Sequence, residues 1–343
     1  MRSKTFGLDM GTTSIKVMWL VRQGNEILLK SVASIPSATK ILLSESIYDR
    51  QTLAASIRSL LKNAGITIND ANISLPESQV YLKVLEMPEL SEQELQAALT
   101  WEMEQHIPLP LDQVRTAWQI LDHTEKSGKK TMQVLIVAAP IGILDKYDKI
   151  MQAAQLNTRA VETEIISVHR ALLPILNGSG ADIIVHLGAS TTDVAVTKNK
   201  VINIAFSIPL GGIAITRAIS LDLGIDITQA ENLKKAYGLS QEMLEGKVGR
   251  SLSPILESIV GDIKKSVLLF KEKNNNENIG QVILSGGSAL LPGVDVFFTS
   301  VLDIQVVVAN AWELNNIINT PQEVIDDASS YNVVLGLALR DLL

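Results

Sequence analysis

Apolar stretches near residues 5 to 10, 15 to 21 and 27 to 35, separated by short polar turns, predict a three-stranded meander at the start of the chain. From about 51 to 64 the apolar spacing turns helical, and Gly65 closes that helix where glycine commonly ends one. After a short strand at Ile73 to Leu75 the pattern changes. Val80 to Met87 reads as a strand and Ser91 to His106 as a helix, followed by strands at Arg115 to Leu121 and Thr131 to Ala138 around a hairpin tip, Thr124 to Lys130. Strand, helix, strand, strand is a small α+β module set into a larger unit. Helices from about 141 to 155 and 163 to 176 return the chain to that unit, and Asn177-Gly178-Ser179-Gly180 is the expected crossover to a second one.

The second half repeats the opening. Strands at 182 to 187, 192 to 197 and 201 to 208 form another meander, followed by helices near 211 to 222, 228 to 237 and 253 to 272. A polar tip, Lys273 to Asn278, precedes a strand at Gln281 to Leu284, and a last helix, about 328 to 341, carries Val333, Val334, Leu337 and Ala338 and is expected to be buried. Two meanders, each trailed by helices, imply an internal duplication at low identity with a cleft between the halves. The expected division is a first lobe from 1–78 and 139–179 joined by the final helix 328–343, an inserted module at 79–138, and a second lobe at 180–327.

Composition narrows the class of protein. At 343 residues and 46% hydrophobic content the chain suits two lobes with large cores. A net charge of -7 and a pI near 5.3 argue against a nucleic-acid groove, which needs a basic face. With no cysteine, disulfides, thiolate catalysis and Cys-based zinc sites are excluded. No signal-peptide core follows Met1-Arg2-Ser3-Lys4, and the longest apolar run, Val134 to Leu144, is interrupted by Pro140 and Gly142. That run is far shorter than the ~20 residues of a spanning helix, so the expectation is a cytoplasmic protein without direct membrane insertion.

Both meanders open on the same turn. The first reads Gly7-Leu8-Asp9-Met10-Gly11-Thr12-Thr13-Ser14-Ile15-Lys16-Val17, and the second reads Val185-His186-Leu187-Gly188-Ala189-Ser190-Thr191-Thr192-Asp193-Val194. Each is an apolar strand, a turn glycine, hydroxyl residues at the tip and a second strand. A turn of this kind aims backbone N–H groups at one point and makes an anion site without a basic side chain. Aligned on their glycines, Asp9 falls on His186. Two such turns facing each other would hold the phosphates of a nucleotide, and the missing carboxylate bears on hydrolysis.

With Ile283-Leu284-Ser285-Gly286-Gly287-Ser288-Ala289-Leu290-Leu291-Pro292-Gly293, the two hairpins resemble the phosphate 1, phosphate 2 and adenosine motifs of the actin-like ATPase superfamily, in the right order. Within it the chain most resembles the PilM family of type IV pilus machines. The resemblance covers nearly the whole chain: Leu85-Glu86-Met87-Pro88, Trp101-Glu102-Met103-Glu104-Gln105-His106-Ile107-Pro108, Pro209-Leu210-Gly211-Gly212, Ala230-Glu231-Asn232-Leu233-Lys234 and Gly336-Leu337-Ala338-Leu339-Arg340. It implies an α/β, actin-like (ribonuclease H-like) duplicated two-lobe fold in which the inserted α+β module is similar to subdomain 1C of PilM and FtsA.

The resemblance also implies ATP and Mg²⁺ as cofactors. Asp9 would hold a water on the magnesium, which keeps most of its waters, or would merely cap the turn. Thr12, Thr13 and Ser14, and in the second hairpin Gly188, Ala189, Ser190 and Thr191, would bind phosphate oxygens. Lys16 reaches a phosphate or stays solvated on its strand. Gly211 and Gly212 make a helix-start phosphate contact or a plain strand-to-helix turn. Glu231 and Lys234 match the family's contacts to ribose and adenine, yet Thr228-x-x-Glu231 is also a capping box. Gly286, Gly287 and Ser288 approach the adenine or simply turn the chain. Glu164 lies where actin-like ATPases orient the attacking water, and it is equally a charge favoured at a helix N-terminus. His186 supplies no carboxylate oxygen near magnesium, so turnover is expected to be slow. Histidines 106, 123 and 169 show no metal-ligand spacing.

Other enzyme classes fail on particular residues. Neither Gly128-Lys129 nor Gly246-Lys247 continues as a P-loop, and no Gly-x-Gly-x-x-Gly occurs. A sugar kinase of the same superfamily would need a catalytic Asp facing a sugar pocket, and an FtsA-like division protein usually ends in an amphipathic membrane helix. The resemblance therefore implies a nucleotide-binding scaffold that docks the cytoplasmic N-terminal segment of PilN, within the inner-membrane platform and near the motor of the pilus machine. In the inserted module, Ser91-x-x-Glu94 predicts a capping box, and Leu95, Ala98, Leu99 and Met103 one buried stripe. Trp101 lies off that stripe, so it either packs on the neighbouring lobe or borders the partner groove.

Overall fold

Two sheets of matching strand order dominate the residues described by the computed structural model, which are 4–37, 44, 46–126, 128–241 and 244–343. In the first, β1 (Thr5–Met10), β2 (Ser14–Gln23) and β3 (Glu26–Pro36) form an antiparallel meander, and β4 (Asp70–Leu75) pairs parallel to β1. The chain then leaves this sheet for a separate one made of β5 (Tyr81–Pro88), β6 (Val114–Lys126) and β7 (Lys129–Pro140), with β7 in the centre. It returns as β8 (Asn157–Thr163), parallel to β4.

The second large sheet starts with β9 (Ala181–Leu187), β10 (Thr192–Lys198) and β11 (Val201–Ile208) and adds β12 (Ile279–Ser285) and β13 (Val306–Val308) in parallel. A short strand, β14 (Ile317–Ile318), edges the first sheet next to β3. The orders are β14-β3-β2-β1-β4-β8 and β11-β10-β9-β12-β13, so apart from β14 one is the copy of the other. β1 and β9 lie inside their sheets and every residue in them is buried, which is why their sequences read as apolar runs with only two polar residues each, Thr5 and Asp9 in one, Asp182 and His186 in the other. This duplication is what sets the two glycine turns, at the ends of β1 and β9, in equivalent places.

The lobes share a core. The final helix, Asn332–Leu339, is buried at all its positions and packs between β1 and the helix Glu164–Leu172. The same cluster continues into Ile184, Ala195 and Ile283 of the second sheet. The inserted module has its own core: Leu95, Leu99 and Met103 of the helix Glu92–His106 pack on Met132, Val134 and Ile136 of β7. Burying each such side chain is worth about 1.5–3 kcal/mol. That helix starts at the expected capping box, in which the Ser91 backbone N–H and hydroxyl both donate to Glu94.

Several element boundaries differ from the sequence reading. The helix expected from 163 to 176 spans Glu164–Leu172, and the last one begins as a 3-10 turn, Ala328–Tyr331, before Asn332–Leu339. The long helix expected from 253 begins at Lys247 and runs to Lys273, with Pro254 inside it. Val248, Leu252 and Leu256 enter the second-lobe core on both sides of that proline, and this burial outweighs the lost backbone hydrogen bond. β8, β13 and β14 and the helix Val294–Leu302 were not expected. No helix among the described residues is long and apolar enough to cross a membrane.

Candidate functional site

A cavity of about 750 Å³ lies between the two lobes, within the size range of small-molecule sites. The first hairpin lines it with Asp9, Gly11, Thr12, Thr13, Ser14 and Lys16, and the second with His186, Leu187, Gly188, Ala189, Ser190 and Thr191. Glu164, Gly212, Glu231, Lys234, Gly286, Gly287 and Ser288 complete the wall with the turn Pro76, Ser78 and Gln79. Of the residues expected around the nucleotide, Gly211 does not line the cavity, and Trp101, expected at a lobe contact or the partner groove, lies elsewhere. Trp101 stands on the inserted module, 56% exposed.

The hairpins match residue for residue. Gly188 N–H donates to the Thr191 carbonyl at 2.9 Å to close the second turn, and the backbone approach within each turn is the same: a Cβ on Gly11 would meet Ser14 O at 3.0 Å, and one on Gly188 would meet Thr191 O at 2.9 Å. Their tips touch across the cavity, where the Ser190 hydroxyl donates to Thr12 Oγ1 at 3.0 Å. Strand pairing sets Asp9 opposite Lys16 in one hairpin and His186 opposite Asp193 in the other. The acid has changed strands.

That exchange shapes the electrostatics. Burial raises the Asp9 pKa, and Lys16 pulls it back. Lys16 Nζ also donates to Ser14 Oγ at 2.8 Å and lies 5.5 Å from the centre of the Tyr331 ring. Asp193 has no cation opposite it. It accepts from the Ser207 hydroxyl at 2.6 Å, and burial still pushes its pKa up to about 6. Glu164 is raised well above the ordinary carboxylate range, first by burial and then by Asp193, Asp9 and Glu77. Burial and Asp193 push Glu77 up to about 8. His186 is driven down to about 4 by burial and then by Lys16, so it is neutral near pH 7, with Nδ1 3.0 Å from the Ser285 hydroxyl.

The second-lobe wall corrects two alternatives. Thr228 does not cap the helix Ile227–Tyr237; Asp226 does, accepting from Gln229 N–H. Glu231 turns inward instead, accepting from the Thr216 hydroxyl and pairing with Lys234 at 2.6 Å. Lys234 is itself buried, and its ammonium also donates to the Gly212 carbonyl and to Thr216. Burial lowers the Lys234 pKa while Glu231 opposes that shift. At the start of the helix Gly212–Leu223, the N–H groups of Gly212 and Ile213 donate to the Gly188 and Ala189 carbonyls. Those donors are therefore engaged, and Gly211 and Gly212 form a strand-to-helix turn that buttresses the second hairpin. Gly286 has φ +88°, and a Cβ there would sit 2.4 Å from Leu187 O, so only glycine suits it. A Cβ on Gly287 would meet nothing within 4 Å.

Sequence reasoning missed Glu77, Asp193 and the Pro76–Gln79 turn. Asp193 carried a signal: it follows His186 by the same seven positions that separate Lys16 from Asp9, so a register count across the turns puts it opposite His186. Glu77 carried none, because its neighbours come from other elements.

Taken together, the site is a cavity of about 750 Å³ walled by two equivalent glycine turns and a side opened by Gly286 and Gly287. Asp9 fits a magnesium-bound water: it is a hard carboxylate at the cavity wall beside the phosphate-type turn. No cluster of three or more metal-ligating side chains occurs among the described residues. The fold is that of the actin-like proteins. It aligns over 97% of the chain with the ethanolamine utilization protein EutJ from Carboxydothermus hydrogenoformans, at TM-score 0.55, 18% identity and 88% of that chain. MreB5 of Spiroplasma citri bound to AMPPNP aligns over 97% of this chain and 94% of its own, at TM-score 0.52 and 14% identity. The family described as "Type IV pilus assembly protein PilM" matches residues 7–342, and the chain belongs to that family. A solved PilM-PilN type IV pilus biogenesis complex superposes over the full length of both chains at TM-score 0.85 and 22% identity. The cell division protein FtsA of Streptococcus pneumoniae is 25% identical over 342 residues, covering 88% of this chain and 74% of its own.

Proposed function

We propose that the chain is an ATP-binding scaffold of a type IV pilus assembly platform. The observation that carries this is the pair of matched glycine turns meeting tip to tip across the 750 Å³ cavity. Backbone donors of both turns and the Thr12, Thr13, Ser14, Ser190 and Thr191 hydroxyls bind the phosphates, and Lys16 balances their charge. Asp9 would hold magnesium through a water, and the ion would supply positive charge against the phosphates. The base lies against Gly286, Gly287 and Ser288, with Glu231 and Lys234 toward the ribose.

Hydrolysis is slow on this reading. Glu164 would orient a water at the cavity wall, where burial and then Asp193, Asp9 and Glu77 raise its pKa well above the ordinary carboxylate range. His186 is neutral and adds no negative charge to the phosphate side. Titration calorimetry with ATP and magnesium tests the site. Wild type binds, and Gly287→Trp, which fills the open side, loses binding. A wild type that shows no affinity at millimolar ATP sinks the proposal.

The solved relative assembled with PilN supports a similar partner here, an extended N-terminal peptide of PilN that holds the chain at the cytoplasmic side of the inner membrane near the motor. Exposed Trp101 is a fitting aromatic contact for such a segment. Trp101→Ala should weaken the peptide by ~1–2 kcal/mol while leaving ATP affinity as it was. An unchanged peptide affinity removes Trp101 from the groove.

A further inference from the structure

The turn Pro76–Gln79 belongs to two structures at once. Pro76, Ser78 and Gln79 line the cleft. After Val80 the same turn runs straight into β5, the first strand of the inserted module. The turn is stiff, closed by Gln79 N–H to the Pro76 carbonyl at 3.0 Å and Val80 N–H to the Glu77 carbonyl at 3.3 Å. β5 then packs on β11 of the second lobe, and its Leu82 reaches the core that the two lobes share. No slack separates the cleft from the module.

Glu77 is the odd residue in this turn. Its side chain is buried, and neither carboxyl oxygen has a hydrogen-bond partner of good geometry. It faces Asp193 from β10, and from the start of the helix Glu164–Leu172 it faces Glu164, the Thr163 hydroxyl and the Ile165 N–H. An unpartnered buried carboxyl destabilises a fold, and an apolar side chain of similar size would fill the joint at lower cost. With its pKa near 8, the group stands between two other acids as a neutral carboxyl at pH 7.

We propose that the Pro76–Gln79 turn passes occupancy of the cleft to the inserted module, with the buried Glu77 side chain fixing the turn to the joint between the lobes. This inference rests on the nucleotide reading of the cleft and adds how that site is regulated. A ligand that presses on Ser78 or Gln79 moves β5, and a partner that holds β5 changes nucleotide affinity by the same factor.

The test is hydrogen exchange of the full chain with and without saturating magnesium AMPPNP, read over amides 78–87. In wild type, bound AMPPNP should slow exchange there by roughly threefold or more. Glu77→Gln, which keeps the shape and the neutral charge, should respond as wild type does. Glu77→Ala should bind AMPPNP within about threefold of wild type by calorimetry yet lose the response. If Glu77→Ala does not fold, Glu77→Asp, which withdraws the carboxyl from the joint, replaces it with the same two outcomes. Binding without any change over 78–87 in wild type overturns this inference alone, as does a Glu77→Ala variant that keeps the full response. Absence of AMPPNP binding by calorimetry overturns the nucleotide reading along with it.

Discussion

The two hairpins have one backbone and opposite chemistry. At the end of β1 an acid on the incoming strand faces a lysine on the outgoing one; at the end of β9 a histidine comes in and the acid goes out. The turns themselves barely differ, because a glycine closing over the carbonyl three residues on defines the turn and needs no particular side chain beside it. Charge balance differs completely. Lys16 tempers the raised pKa of Asp9, whereas the buried acids Asp193 and Glu77 stand beside half-buried Glu164 with no cation opposite Asp193 across the strands. On the proposed nucleotide reading, binding would follow the shared backbone, while proton chemistry follows the side chains that the duplication did not preserve.

The largest effect expected of this imbalance is on stability against pH. The folded chain holds on Glu77 a proton that the unfolded chain releases near the ordinary value of 4.5. Its contribution is intact below that value and is lost as pH rises toward about 8, amounting to a few kcal/mol at most. Denaturant unfolding across this window should show Glu77→Gln with a flatter profile and greater stability at pH 8. Asp9→Asn in the first hairpin should flatten the profile less. Equal slopes in wild type and Glu77→Gln would mean the second site is not under this strain.

Next comes the exchange itself. His186→Asp restores a carboxylate to the phosphate side but sets it directly against Asp193, a like-charge pair that lowers the melting temperature. Adding Asp193→Asn relieves that repulsion. The double variant should release phosphate from ATP up to roughly a hundredfold faster, the equivalent of ~3 kcal/mol in the barrier, with little change in affinity. No gain in rate would show that the histidine is not what limits turnover.

The smallest effect concerns the contact between the tips. Ser190→Ala removes the bond to Thr12, which is partly exposed, so stability should fall by only about 0.5–1 kcal/mol. If phosphates take the place of this bond, the loss should disappear in melts run with saturating nucleotide. A loss that persists when nucleotide is bound would mean that the tips stay joined around it.

Much of this molecule was legible from local pattern. The two meanders, the glycine turns and the capping box at Ser91 rest on short-range rules, namely apolar spacing, a glycine that permits close backbone approach and a serine that caps its own helix. Strands such as β8, with alternating exposed residues and the sequence Asn-Thr-Arg-Ala-Val-Glu-Thr, carry little apolar signal and exist because β4 offers a parallel edge. The helix around Pro254 extends to Lys247 only because its far side is buried in the second lobe. Asp226 takes the cap that Thr228 seemed to offer, freeing Glu231 for Lys234 and Thr216 from another helix. The sequence by itself determined where the chain turns and which of its residues can present donors to an anion. Only the tertiary structure decided which acids meet, because Glu77, Glu164 and Asp193 lie on three separate elements, and burial together with mutual repulsion sets their protonation where no local rule applies.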